Sequence, residues 1–135
     1  MAAELTDDVK KLLEGKNLAH FVTLMKDGSP QVTPVWADHD GTHVLINTAE
    51  GRQKPRNLAR DNRVAISIAE TENLYNYAQI RGRVVEITQE GAWDHINKLA
   101  RKYQGADAAY RGPQTETRII IKVLPEHVSG MQRRR

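Results

Sequence analysis

The 135-residue sequence contains no cysteine, a single phenylalanine, and no uninterrupted apolar run longer than three residues. Without cysteine, a disulfide scaffold, a Cys-ligated metal or iron–sulfur site and a thiol nucleophile are all excluded. The apolar runs are too short for a membrane-spanning helix. Residues 1–15 carry acids and lack the continuous apolar stretch of a signal peptide. We therefore expect a cytoplasmic protein with no membrane partner.

The sequence also lacks a large charge of one sign. Twenty basic and seventeen acidic residues give a net charge of +3, and Arg133, Arg134 and Arg135 account for all of it. Residues 1–132 are thus neutral overall, whereas a nucleic-acid-binding domain usually carries a basic face. We expect no nucleic-acid partner. The chain length favours a single domain over residues 1–132, followed by a solvated basic tail at 133–135.

The hydrophobic pattern predicts six strands and three helices joined mostly by short turns. The predicted helices cover residues 6–15, 55–61 and 90–104, and the predicted strands cover residues 20–25, 31–36, 44–47, 64–68, 77–87 and 118–124. Pro30 and Pro34 cannot donate to a strand ladder, so the second strand is expected at a sheet edge or a bulge. Strands in meanders favour a mainly β, α+β fold with a closed antiparallel barrel.

Several familiar catalytic motifs are missing. The sequence has no GxGxxG, no phosphate-gripping P-loop and no GxSxG element around a serine. His39 and His43 have the spacing of helical metal ligands, but the turn residues Asp40 and Gly41 separate them. A turn does not place both rings on one face, so we expect no metal site. We also expect no catalytic acid, base or nucleophile.

A basic segment is the strongest candidate for a binding site. Residues 52–63 hold five cations, among them Arg52, Lys54 and Arg56, against one acid, a local excess of +4. These cations precede or enter a predicted helix, whose free N–H groups and dipole favour a phosphate. Arginine adds a fork that matches phosphate oxygens. The alternative interpretation is a solvated basic helix.

The segments taken together resemble a known family. The stretches concerned are Gly28-Ser29-Pro30-Gln31-Val32-Thr33-Pro34-Val35-Trp36, Val44-Leu45-Ile46-Asn47-Thr48, Arg52-Gln53-Lys54-Pro55-Arg56-Asn57-Leu58 and Asp61-Asn62-Arg63-Val64-Ala65. They resemble the pyridoxamine-phosphate-oxidase-like flavin/deazaflavin family, and most of all its reductases that use the deazaflavin coenzyme F420. The resemblance extends from residue 5 to about residue 131 and implies a six-stranded split β-barrel homodimer with cofactor grooves between the subunits.

The resemblance also implies roles for individual residues. Arg52 and Lys54 would hold the coenzyme phosphate, assisted by Asn47, Thr48 and Asn57. These five positions match the family's phosphate-binding pattern.

A second set of residues is implied for the ring of the coenzyme. Gln31, Thr33 and Pro34 would line the deazaflavin, and Tyr77 would reach it from the other subunit. Core packing is the alternative role for Tyr77 and for Trp36.

The implied activity is hydride transfer from reduced coenzyme F420 to a conjugated small-molecule acceptor of the quinone, enoate or tetrapyrrole class. Such chemistry belongs to the cofactor, which agrees with the lack of catalytic motifs. Two alternatives remain. One is an FMN-dependent oxidase with the same fold. The other is a non-catalytic protein that carries the cofactor or another ligand, such as haem or a fatty acid.

Overall fold

The computed structural model describes residues 2–131, so the basic tail expected at 133–135 lies outside the described residues. The helices are α1 (Asp7–Glu14), α2 (Gln53–Arg60) and α3 (Ala92–Gln104). The strands are β1 (Ala19–Leu24), β2 (Pro30–Val35), β3 (Ala37–His39), β4 (Val44–Ala49), β5 (Arg63–Glu70), β6 (Asn73–Thr88) and β7 (Arg118–Met131). In this part of the chain the longest helix, α3, has 13 residues, short of the roughly 20 that a membrane-spanning helix needs.

All seven strands form one antiparallel sheet in the order β2-β1-β5-β6-β7-β4-β3. Its two edge strands are consecutive in the chain, because β2 ends at Val35 and β3 begins at Ala37. Only Trp36 separates them, and so short a link brings the two edges of the sheet within about 7 Å of each other. The sheet must therefore curl into a barrel split between β2 and β3, which confirms the predicted split-barrel fold. The edge position expected for the proline-containing strand is confirmed as well.

The predicted number of six strands is wrong by one. The additional strand is β3, whose Ala37, Asp38 and His39 pair with Ile46, Leu45 and Val44 of β4. Three residues are too few to show the alternation of apolar and polar side chains from which a strand is predicted. Tertiary pairing with β4, not local pattern, makes this segment a strand.

The long β6–β7 ribbon bends at Gly82. The pairing register shifts between Arg81 and Gly82, which lies opposite Pro125. A Cβ atom built on Gly82 would lie 2.1 Å from the carbonyl oxygen of Leu124, so only glycine fits this close approach. The register shift at Gly82 marks a β-bulge, and β7 continues through Pro125 to Met131.

Two apolar clusters hold the helices to the barrel. The barrel interior is filled by strand residues such as Phe21, Ile68 and Ile121, and α1 adds Val9 and Leu13. The second cluster lies under α3 and consists of the buried residues Ile96, Leu99 and Tyr103, with Trp36, Trp93 and Tyr110 packed against them.

Lys102 ties α3 to two other elements. Its ammonium group donates hydrogen bonds to the carbonyl oxygens of Leu13 at 2.8 Å and Ala37 at 2.5 Å. Burial lowers the pKa of Lys102 from 10.5 to about 8, and this effect outweighs the attraction of Asp38. A lysine that loses its proton more readily in the folded protein makes stability depend on pH.

The lowered pKa of Lys102 should make the free energy of unfolding rise as the pH increases from about 8 to about 10, and we expect Lys102→Met to reduce this rise. In that window the unfolded chain holds the Lys102 proton and the folded chain releases it, because the folded pKa is about 8. The free energy of unfolding of the wild type therefore rises with pH relative to the variant. Urea unfolding at several pH values measures this difference.

Lys11→Met removes an exposed lysine of α1 and serves as the matched control for the pH series. It should follow the wild type. A Lys102→Met variant with an unchanged pH dependence of stability would contradict the low pKa of Lys102.

Candidate functional site

A pocket of about 300 Å³ lies where β2, β4, β7 and the start of α2 meet. One part of its wall is apolar, and the other is polar and cationic. It is lined by Leu18, Pro34, Val35, Trp36, Ile46, Asn47, Thr48, Arg52, Lys54, Ile96, Tyr110 and Arg118. A pocket with these two chemistries suits a ligand with an anionic end and a flat apolar end.

The start of α2 places Lys54 in the pocket. Arg52 is the N-cap residue of this helix, which begins at Gln53, and Pro55 is its third residue instead of its first. Within residues 2–131 the Lys54 ammonium has no ion-pair or hydrogen-bond partner. Burial, and then repulsion by Arg52, lowers the pKa of Lys54. A half-buried cation without a counterion is suited to bind an anion.

Arg52 is already partly neutralised within the chain. Its Nη2 lies 2.5 Å from Glu116 Oε2 and 3.3 Å from the hydroxyl oxygen of Tyr110. The side chain of Arg52 is still 48% exposed. Arg52 can therefore contact a ligand while it stays anchored to the loop before β7.

Arg118 is a pocket residue that the sequence analysis did not identify. It opens β7, is only 3% exposed, and donates from Nη1 to Tyr110 and Glu116, both at 3.1 Å. Its Nε and Nη2 donate to Asn47 Oδ1 at 3.0 and 2.8 Å. The sequence feature that could have indicated Arg118 is its position directly before the apolar run Ile119–Ile121. Its arrival beside Asn47 depends on strand register, which the sequence pattern did not reveal.

Aromatic rings form the wall beside these cations. The Arg118 guanidinium carbon lies 4.5 Å from the centroid of the Tyr110 ring, and Trp93 meets that ring edge-on at 5.9 Å. Trp36 stacks on Tyr103 with ring centroids 5.3 Å apart and planes 6° apart. Trp36 thus lines the pocket and packs on α3 at once. Tyr110 lies in the loop after α3, where the sequence showed no pattern to single it out.

The structure brings five of the nine predicted cofactor-binding residues together. Pro34, Asn47, Thr48, Arg52 and Lys54 all line the pocket. The other four predicted residues are not part of its lining: Gln31, Thr33, Asn57 and Tyr77.

Asn57 faces the protein interior instead of the pocket. It is fully buried, and its amide nitrogen donates to Thr23 Oγ1 at 2.9 Å. Its amide oxygen accepts from Gln53 at 2.7 Å and from Arg60 at 2.8 Å. The amide nitrogen joins α2 to β1, and the amide oxygen is occupied by donors of α2 itself. This geometry favours a structural role for Asn57.

Gln31 and Thr33 lie on β2 beside the pocket-lining Pro34. The Gln31 side-chain oxygen accepts a long 3.4 Å hydrogen bond from Thr23. The hydroxyl oxygen of Thr33 is buried and has no hydrogen-bond partner among the described residues. Thr33 lies opposite the fully buried Phe21 of β1, so its side chain faces the barrel interior.

Tyr77 lies on the outer face of the barrel. Strand pairing places it opposite Ala69, and it lines a second concavity of about 390 Å³ together with His20, Val22 and Val32. Tyr77 therefore does not reach the pocket of its own chain.

The histidines that drew attention in the sequence are bound to nearby acids. His39 Nε2 lies 2.7 Å from Glu14, and His43 Nδ1 lies 3.0 Å from Asp40. Within residues 2–131 no group of three or more His, Asp or Glu side chains is arranged to hold a metal ion.

Comparison with known proteins identifies the family. The model of the pyridoxamine 5'-phosphate oxidase family matches residues 5–132. The chain belongs to the pyridoxamine 5'-phosphate oxidase family. The family predicted from the sequence motifs is thereby confirmed.

Solved structures of other proteins share the fold of this family member. An F420 reductase is 32% identical, with a TM-score of 0.78 over 89% of this chain and 94% of the reductase. HupZ of Group A Streptococcus is 20% identical, with a TM-score of 0.66 over 96% of this chain and 98% of HupZ. A FAD-binding protein from Mesorhizobium loti is 18% identical, with a TM-score of 0.65 over 96% of both chains.

We expect Asn57→Ala to lower the free energy of unfolding of this family member by about 1–3 kcal/mol, because buried partners lose their hydrogen bonds. The affinity of the pocket for a ligand should stay nearly unchanged, since Asn57 does not line the pocket. Urea unfolding and ligand titration measure the two quantities.

Asn62→Ala is the matched control, because its side chain makes a single 3.3 Å hydrogen bond to Val84 and should cost less. If Asn57→Ala kept its stability but lost ligand affinity, Asn57 would have to be a ligand-binding residue and not a structural one.

Proposed function

We propose that this protein is an oxidoreductase that binds coenzyme F420 and transfers hydride from its reduced form to a conjugated small-molecule acceptor. The acceptor would be of the quinone, enoate or tetrapyrrole class. The observation that carries the proposal is the pocket itself, which combines an unpaired Lys54 with an apolar and aromatic wall.

The charge of the pocket supports binding of a phosphate group. Arg52, Lys54 and Arg118 line it, and no acid does so among the described residues. Glu116 is the one carboxylate that pairs with these cations, so the cluster carries a net charge of +2. Two unbalanced positive charges beside a helix N-terminus favour a phosphate. Lys54 and Arg52 would hold it, with Arg118 behind them.

The other part of the wall supports binding of a flat ring. Leu18, Trp36, Ile46 and Ile96 supply apolar surface, which is what a tricyclic ring buries most favourably. Pro34 and Val35 of β2 add further apolar surface beside them. The residues present therefore fit both ends of the coenzyme.

The lining leaves the reactive chemistry to the coenzyme, which supplies the hydride when it is bound. Among the described residues that line the pocket there is no aspartate, glutamate, histidine or serine. The chain's own residues bind the anionic end, orient the ring against Trp36 and exclude water from one side of it. A shallow site of this kind suits several conjugated acceptors.

Similarity to an F420 reductase at 32% identity favours the deazaflavin over FMN. The family match to pyridoxamine 5'-phosphate oxidase favours FMN as the second candidate. A non-catalytic carrier would bind its ligand in the same pocket but would not catalyse a reaction. These three functions predict different outcomes in one experiment.

The experiment titrates coenzyme F420 and FMN into the protein and follows tryptophan fluorescence. The chain has two tryptophans, and Trp93→Phe leaves Trp36 as the only reporter in the pocket. Reduced F420 is then mixed with a quinone such as menadione, and its reoxidation is recorded. Tight F420 binding with turnover supports the proposal. Tight FMN binding alone favours the oxidase, and binding without turnover favours the carrier.

Lys54→Ala should weaken binding of the preferred cofactor about ten- to hundredfold, the effect of one lost hydrogen bond to a charged group. Stability should stay nearly unchanged, because Lys54 has no partner within residues 2–131. The fluorescence titration measures the affinity. Arg56→Ala removes an exposed cation from the same helix outside the pocket, and it should bind like the wild type.

Equal small effects of the two substitutions would mean that the basic segment is only a solvated helix face.

We further propose that the protein is a homodimer whose partner completes the pocket. A volume of about 300 Å³ is at the lower end of the range for ligand pockets. Strand register places Val32 and Pro34 on the outer face of β2, and Pro34 also lines the pocket. The outer concavity with Tyr77 includes Val32, two residues from Pro34 on the same face of β2. A second copy on this face would bring its own Tyr77 near the ligand.

Exposed apolar side chains also support an interface with a second copy. Val32 is 57% exposed, and the tip of the β5–β6 hairpin exposes Leu74 at 70% and Tyr75 at 79%. Clusters of large exposed apolar residues commonly mark protein–protein contacts.

Val32→Glu should convert the dimer to a monomer and lower cofactor affinity, because it places a charge in the proposed interface. Sedimentation equilibrium measures the mass. Val85→Glu is the matched control, since Val85 is 49% exposed on β6 and is not part of the outer concavity. A wild-type monomer that binds the cofactor tightly would overturn the dimer proposal.

A further inference from the structure

A continuous line of polar side chains runs from the pocket into the protein interior. Arg118 donates to Asn47, the Asn47 amide nitrogen lies 3.1 Å from His95 Nδ1, and His95 Nε2 lies 3.1 Å from Asp38 Oδ2. Arg118, His95 and Asp38 are 3%, 9% and 7% exposed. The line thus connects Arg118, which lines the pocket, with Asp38 of β3, which does not.

The direction of every hydrogen bond in this line is determined. Arginine has donors only, so the two bonds from Arg118 require the oxygen of the Asn47 amide to face it. The Asn47 nitrogen then donates to the Ala92 carbonyl at 2.8 Å and to His95 Nδ1. His95 Nδ1 is therefore an acceptor, and His95 Nε2 carries the proton that is donated to Asp38.

Asp38 is a fixed acceptor at the inner end of the line. Its Oδ1 accepts from the His39 backbone N–H at 2.9 Å, and its Oδ2 accepts from Lys98 at 3.0 Å. Burial raises the pKa of Asp38, but hydrogen bonds from His95 and Lys98 outweigh burial and hold the pKa well below 3.8. A carboxylate that stays ionised can only accept, so it holds His95 in one tautomer.

We propose that His95 and Asp38 are positioning residues, which keep the Asn47 oxygen turned toward Arg118 and thereby hold the Arg118 guanidinium at the cationic end of the pocket. This inference rests on the proposed function of that pocket. If the amide of Asn47 turned over, two donors would face each other and Arg118 would lose both bonds from Nε and Nη2. Neither residue lines the pocket, so both act through Asn47.

The test compares His95→Leu with His95→Gln. Leucine fills the space of the ring but neither accepts from Asn47 nor donates to Asp38. Glutamine can do both, because its oxygen accepts and its nitrogen donates. We expect His95→Leu to weaken binding of F420 or FMN, whichever the wild type binds, by about tenfold, and His95→Gln to restore most of the affinity.

A second measurement uses the protein without any ligand. NMR of the Arg118 Nε–H group reports its exchange with water, which is slow while the group is bonded to Asn47. We expect this exchange to be faster in His95→Leu and slow again in His95→Gln. Leu99→Ala is the matched control, because it loosens the same helix without touching Asn47, and its Arg118 signal should stay as in the wild type.

The two measurements separate the inference from the proposed function. Faster exchange in His95→Leu alone, reversed by glutamine, supports the positioning role. Unchanged exchange in His95→Leu, or equally faster exchange in Leu99→Ala, would overturn it. If the wild type binds neither F420 nor FMN, the proposed function fails, and the exchange data still decide whether His95 positions Arg118.

Discussion

Trp36 alone separates β2 from β3, and these two strands are the opposite edges of a seven-stranded sheet. This short link forces the sheet to curl, because the chain must step from one edge to the other within a single residue. The pocket follows from that closure. Pro34 and Val35 arrive from one edge and Asn47 from the strand beside the other edge. Trp36, the linking residue, also lines the pocket with its indole, which is held in place by stacking on Tyr103.

The cations of the pocket differ in how they are held, and the difference determines what each can do. Arg118 is buried and committed to partners within the chain, so it supplies a fixed positive potential. Arg52 is paired with Glu116 but exposed, so it can rearrange around a ligand. Lys54 has no partner within residues 2–131 and is left to neutralise an anion. One carboxylate against three cations reduces the repulsion between them and leaves a net charge of +2 beside the start of α2.

The parts of the site that could be predicted from sequence are those encoded locally. Arg52 and Lys54 lie within one turn of a helix start, which the local sequence indicates. The position of Arg118 could not be predicted, because it follows from the register of two strands far apart in sequence. The resemblance assigned Asn57 to the ligand, but its amide nitrogen bonds Thr23 of β1 and its amide oxygen accepts from Arg60 of its own helix.

Register explains why the buried line behind the pocket forms at all. Arg118 pairs with Ala49, and Asn47 lies two residues away on β4, so both side chains are on the same face of the sheet. A slip of one residue would turn Arg118 to the opposite face and leave a buried charge without partners, which costs several kcal/mol. The bonds to Asn47 therefore select the native register as well as the orientation of the guanidinium. The same contacts that specify the fold at this point also shape the cationic end of the pocket.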